Sequence, residues 1–71
     1  MREIPIRGEM IRLGELLKLA GVVGTGGEAK VLLASEEVRV NGEPESRRGR
    51  KLRAGDVVEV ADGVSLRVVS A

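Results

Sequence analysis

Five residues, Val38-Arg39-Val40-Asn41-Gly42, leave this chain the fewest conformational choices. Two β-branched residues flank a charged one, which predicts a strand with one buried face. Asn-Gly follows, the strongest short hairpin signal, because both residues accept positive φ. The chain must therefore reverse there and return as a short strand over 43–45. Pro44 lacks an amide donor, which confines that return to a sheet edge or to the start of a loop.

The stretch from 39 to 53 is also where the charge is concentrated. Arg39, Arg47, Arg48, Arg50, Lys51 and Arg53 face only Glu43 and Glu45, a local net of 6 − 2 = +4. The other residues of the chain then sum to 6 − 9 = −3, so the overall +1 conceals a dipole. A basic patch on a nearly neutral small domain is the electrostatic footprint of a phosphate-backbone binder. Charge alone leaves a merely solvated loop as the alternative.

Upstream, Leu13, Leu16, Leu17 and Ala20 recur at i, i+3, i+4 and i+7, an apolar stripe that predicts a helix with Arg12, Glu15 and Lys18 off the stripe. Gly21 supplies a left-handed stop. Thr25-Gly26-Gly27-Glu28 has the form of a capping box and predicts a second helix over 26–34, with Ala29, Leu32 and Leu33 toward the first and Lys30 outward. Gly26 and Gly27 weaken that first turn, by roughly 1 kcal/mol each against alanine. Bare amides there could receive a phosphate, or the glycines could simply make a tight connection between antiparallel helices. Ile4 and Ile6, alternating with Pro5 and Arg7, predict a short edge strand. Gly55-Asp56 turns the chain into a strand over 57–60, and Asp62-Gly63 predicts a hairpin into a last strand over 65–69. Helix, helix and then several antiparallel strands make an α+β domain.

With 71 residues this is one domain, residues 1–71, burying about 60% of the surface its unfolded chain exposes. There is no Cys for a disulfide or thiolate and no His, the commonest general base and metal ligand. No pair of carboxylates marks a pocket, so neither catalysis nor a cofactor is expected. The apolar stretch over 13–23 carries Glu15 and Lys18 and is too short to span a bilayer, so a cytoplasmic protein without membrane contact is expected. The chain has no Phe, Tyr or Trp, and readers of unpaired bases need such rings for stacking. A nucleic-acid binder of this composition must grip phosphates, sugars and shape, which favours folded targets over single strands.

With these stretches in place the chain resembles the S-four RNA-binding domain, the αL motif, and is most similar to its stand-alone, YbcJ-like members. Three blocks carry the resemblance: 11–21 as the first helix, Thr25-Gly-Gly-Glu-Ala-Lys30 opening the second, and Val38-Arg-Val-Asn-Gly42 continuing to Gly55-Asp56. They span a motif core of 11–60, which is 50 of the 71 residues. The resemblance implies two short antiparallel helices on a small, mostly antiparallel sheet of three to five strands. It also implies a monomeric, non-catalytic module for structured RNA, of the ribosomal or transfer class, with no small-molecule substrate. Carried over to this sequence, the implied RNA face comprises Arg12, Lys18, Lys30, Arg39, Asn41, Arg47, Arg48, Arg50 and Lys51. The bare amides of Gly26 and Gly27 and the last cation of the basic run, Arg53, join them as candidates from the residues themselves. Turn geometry alone would account for Asn41, and a solvated helix face for Lys18 and Lys30.

The chain departs from the family at two places. Gly26-Gly27 stands where many members have Ser-Arg, so backbone amides must replace a side-chain contact. Glu36 stands where glycine is usual, so it must take a left-handed conformation at roughly 1 kcal/mol, or the turn is built differently. Two other functions compete. A helix-turn-helix could enter DNA, although its second helix offers only Glu28, Lys30 and Ser35 as polar readers. A protein-interaction adaptor could use the acidic remainder of the surface.

Overall fold

A computed structural model describes residues 1–61 and 63–71, and in it the two periodicities of the sequence separate into two layers. In chain order the elements are β1 (Arg2–Ile6), β2 (Ile11–Arg12), α1 (Leu13–Leu19), α2 (Gly26–Ala34), β3 (Val38–Val40), β4 (Glu43–Pro44), β5 (Lys51–Leu52), β6 (Val57–Val60) and β7 (Val64–Ser70). One sheet has the order β1-β7-β6-β3-β4, antiparallel throughout except that β1 runs parallel to β7. The alternating valines set the register: Val38 lies opposite Val60 and Val60 opposite Val64, while Val40 lies opposite Val58 and Val58 opposite Leu66. Ile4 extends this inner face beside Val68. The helices cover it with Leu13, Leu16, Leu17, Ala29 and Leu33, together with Ala20 at the C-cap of α1, all buried. An aliphatic core without aromatic rings thus closes between two helices and one sheet face.

The local signals are largely realised. Asn41 and Gly42 both have positive φ, 51° and 86°, and β4 is the edge strand that Pro44 permits. Gly21 ends the first helix at φ 76°, and the Arg2 guanidinium donates to the Ala20 carbonyl at 2.9 Å. The Thr25 hydroxyl accepts the Glu28 N–H at 3.1 Å, while Glu28 reaches back to the Gly24 N–H rather than to that of Thr25. Glu36 adopts φ 63°, so the left-handed conformation falls on a residue with a side chain.

Three expectations are corrected. Ile11 and Arg12 do not belong to the first helix but form β2, which pairs antiparallel with β5 in a separate two-stranded sheet. That pairing holds a segment from before the helices against one from the basic loop, and no local signal foretold it. The return strand stops at Pro44, although the Glu45 N–H still donates to the Val38 carbonyl at 3.0 Å. The last strand is longer than expected and shelters the N-terminal strand. The Asp62-Gly63 turn was expected on a residue, Asp62, that lies outside the described residues; β6 and β7 do pair as a hairpin, with Gly63 at φ 83°.

Candidate nucleic-acid interface

The basic loop owes its shape to a carboxylate. Glu45 is only 8% exposed, the one buried charged side chain among the described residues. Its carboxylate accepts from the Ser46 N–H (3.1 Å), the Arg47 N–H (3.0 Å), Arg47 Nε (3.1 Å), Arg47 Nη2 (3.1 Å) and Arg50 Nη1 (2.8 Å). The Arg47 side chain, then Arg50, then the Arg47 amide together hold its carboxyl at about 2, well below the ordinary 4.5. Burial acts in the opposite sense and is outweighed. Arg47 and Arg50, two of the cations expected to face RNA, are therefore drawn into folding the loop, although the Arg47 side chain remains 74% exposed.

The folded loop completes α1. Arg12 offers no side-chain cap to that helix. Instead the Leu13 N–H donates to the Arg50 carbonyl at 2.8 Å and the Gly14 N–H to the Arg48 carbonyl at 2.9 Å. Amides that a helix leaves unsatisfied at its start are thus met by the loop backbone. Gly14 makes the close approach possible, since a Cβ there would collide with the Arg48 side chain at Cγ.

Seating Arg48 over Gly14 sends its guanidinium toward the start of α2, where a Cβ built on Gly26 would lie 3.8 Å from Arg48 Nη1. The result is a cleft of about 420 Å³ lined by Arg12, Gly14, Glu15, Lys18, Gly26, Arg48 and Gly49. It gathers three cations against one acid, 3 − 1 = +2. Among the described residues the ion pairs end on Glu45, leaving Arg12, Lys18 and Arg48 out of them. Lys51 lies directly across from Arg12 in the two-stranded sheet, a like-charge pair that costs stability until an anion lies between or beside the two. The first amides of α2 lack intrahelical partners, and Gly26 presents its backbone at the cleft wall.

The remaining expected site residues are dispersed. Gly27 lines a different groove, on the far side of the first turn of α2. Lys30 and Arg53 are exposed away from the cleft lining. Arg39 projects from the outer face of the sheet directly opposite Glu59 and lines a depression with Glu36 and Glu37, an acidic setting. Asn41 serves as a brace: its Oδ1 accepts the Val57 N–H at 2.9 Å, its Nδ2 donates to Asp56 at 3.1 Å, and its own N–H donates to the Val57 carbonyl at 2.8 Å. Asp56 also accepts the Arg53 N–H at 2.8 Å, the turn role its position predicts. Sequence reasoning missed Glu45, which it counted only as an opposing charge, and Gly14. An acid just past a strand-ending Pro and before two arginines was the available signal for the first; an isolated Gly near a helix start was the signal for the second.

A small two-layer domain that gathers unpaired cations beside open helix amides has the electrostatics of the class of modules that receive anions. The S4 domain model matches residues 4–69, and the chain belongs to the S4 domain family. Among its relatives is a Bacillus subtilis (strain 168) protein named "Probable ribosome maturation protein RlbA", 55% identical over 67 residues that make up 94% of each chain. YbcJ of Escherichia coli (strain K12) is 40% identical over 60 residues, 84% of each chain. The solution structure of E. coli YbcJ, described as revealing an αL motif involved in RNA-binding, superposes with a TM-score of 0.67 at 35% identity, covering 97% of this chain and 85% of that one. No helix among the described residues is long and apolar enough to cross a membrane.

Proposed function

We propose that this chain binds structured RNA, of the ribosomal or transfer class, without catalysing a reaction on it. The carrying observation is the convergence of Arg12, Lys18 and Arg48 on the cleft beside Gly26, with Lys51 alongside Arg12. A phosphate seated there would meet guanidinium and ammonium groups and a helix N-terminus together. The absence of aromatic residues supports grip through backbone and shape rather than base stacking. The name of the Bacillus relative supports a ribosomal RNA in particular, and the αL motif of YbcJ supports RNA over duplex DNA. Arg47 and Arg50 contribute through the loop they fold, with Arg48 as the central contact.

The test is an amide NMR titration of labelled protein with folded ribosomal RNA fragments, at low and moderate salt, against duplex DNA of matched charge. Four neutralised phosphates predict that log affinity falls against log salt with a slope of roughly −3 to −4. Shifts should gather on Arg12, Lys18, Gly26 and Arg48, and Arg48→Ala should weaken binding by about tenfold while leaving the fold intact. A flat salt response, or equal affinity for RNA and DNA, would overturn the reading.

A further inference from the structure

The first turn of α2 is a divide between two unlike surfaces. Gly26 faces the cationic cleft, and on the other side Thr25, Gly27 and Glu28 border a larger groove of about 670 Å³. Its floor is aliphatic: Val22, Val23, Val31, Leu32, Val60 and Val64 line it. Val31 is 72% exposed, an unusual position for a valine in the middle of a helix, and Val22, Leu32 and Val64 are only half-buried against the core. The charged residues in the lining are Glu28 and Glu37, with no Lys or Arg. The adjoining depression shares Glu37, Val60 and Ala61 with it and adds Glu36 and Glu59, against the single cation Arg39. The negative half of the dipole read from the sequence is thus focused on an apolar groove.

Three occupants can be compared by their chemistry. Nucleic acid is repelled by the carboxylates and finds no cation in the groove. A second copy related by a two-fold axis would set Glu28 and Glu37 against their own kind, and a standard interface needs about 800 Å² per partner, a large share of a 4490 Å² surface. A protein segment with apolar anchors and Lys or Arg at its flanks satisfies both features, filling the aliphatic floor and pairing with the acidic rim. We infer that this groove docks a basic amphipathic segment of a partner protein, across the first turn of α2 from the cationic cleft, so that RNA and the partner can be held together. The segment supplies aliphatic side chains at helical spacing over Val31 and Leu32 and cations toward Glu28 and Glu37.

The experiment uses a synthetic helix of about 15 residues with Leu at i, i+3, i+4 and i+7 and Lys on both flanks, and a twin with Glu in place of every Lys. Titrated into labelled full chain, the Lys peptide should bind saturably and shift the amides of Val22, Val31, Leu32 and Val64, whereas the Glu twin should not. Val31→Asp and Glu37→Lys should each weaken the Lys peptide about tenfold. Both positions are exposed, so these variants should stay folded, and their RNA affinity should stay within about twofold, which separates this inference from the RNA reading. Lack of saturable binding at millimolar peptide, equal binding of the Glu twin, or shifts that map to the cationic cleft would each overturn the inference. Shifts of the same groove residues on concentrating the protein alone would assign the groove to a second copy and overturn it as well.

Discussion

Replacing Glu45 by glutamine tests the origin of the loop. The isostere keeps an acceptor oxygen but removes the charge and turns an amide NH2 toward two guanidinium groups. A carboxyl held at about 2 instead of 4.5 owes to its folded surroundings at most about 3–4 kcal/mol, at about 1.36 kcal/mol per pH unit. Arg47 is 74% exposed, so solvent screening reduces this to about 1–2 kcal/mol. For a domain of this size that is a melting point lower by roughly 4–16 °C. The sign in pH follows from the depressed carboxyl: its stabilisation is complete above 4.5 and is lost as pH falls from 4.5 toward about 2. Urea or thermal unfolding of the parent and of Glu45→Gln should therefore differ by about 1–2 kcal/mol at neutral pH, and the gap should shrink as pH falls below 4.5. All other carboxylates are common to both proteins and cancel in the difference. Because the Arg48 and Arg50 carbonyls meet the start of α1, the same substitution should loosen the seat of Arg48 and weaken RNA binding severalfold. Equal stability at neutral pH, or a gap that persists unchanged down to the acid limit, would refute the reasoning.

Asn41→Ala removes the acceptor of the Val57 N–H and leaves alanine at φ 51°, so unfolding should show a loss of about 1–2 kcal/mol. RNA affinity of the folded fraction should barely move; lost binding at full stability would make Asn41 a direct contact. Glu36→Gly relieves a left-handed residue at φ 63° at some cost in unfolded-state entropy, and should stabilise the domain by about 0.5–1 kcal/mol in the same assay. A destabilised variant would mean that the exposed Glu36 side chain makes an interaction that this balance omits. Gly14→Ala places a methyl against the Arg48 stem, so it should weaken RNA binding severalfold in the titration while a thermal melt still shows a folded protein. Unchanged affinity would show that the seat of Arg48 is immaterial.

Much of the fold was legible because its signals are short-ranged. The Leu13, Leu16, Leu17, Ala20 stripe, the Thr25 cap and the Asn41-Gly42 reversal each act within a few residues, and each appears where its periodicity or backbone demand put it. The candidate site was legible only as a charge inventory. Arg12, Lys18 and Arg48 were named alongside Arg39, Arg47 and Arg50, and nothing local distinguishes the first group from the second. Glu45 makes part of the distinction, since it claims Arg47 and Arg50, while the sheet register sets Arg39 beside Glu59.

The sequence by itself therefore determined an aliphatic α+β domain with a dipolar charge distribution and no aromatic stacking platform, because periodicity, turn preference and composition are properties of neighbouring residues and of totals. Only the tertiary structure decided which cations stay unpaired, how the loop over 46–50 caps a helix that begins at Leu13, and that acids distant in sequence border one apolar groove. Those outcomes depend on pairing β2 with β5 and on closing long loops, where free energies are set by distances in space that no short window of residues encodes.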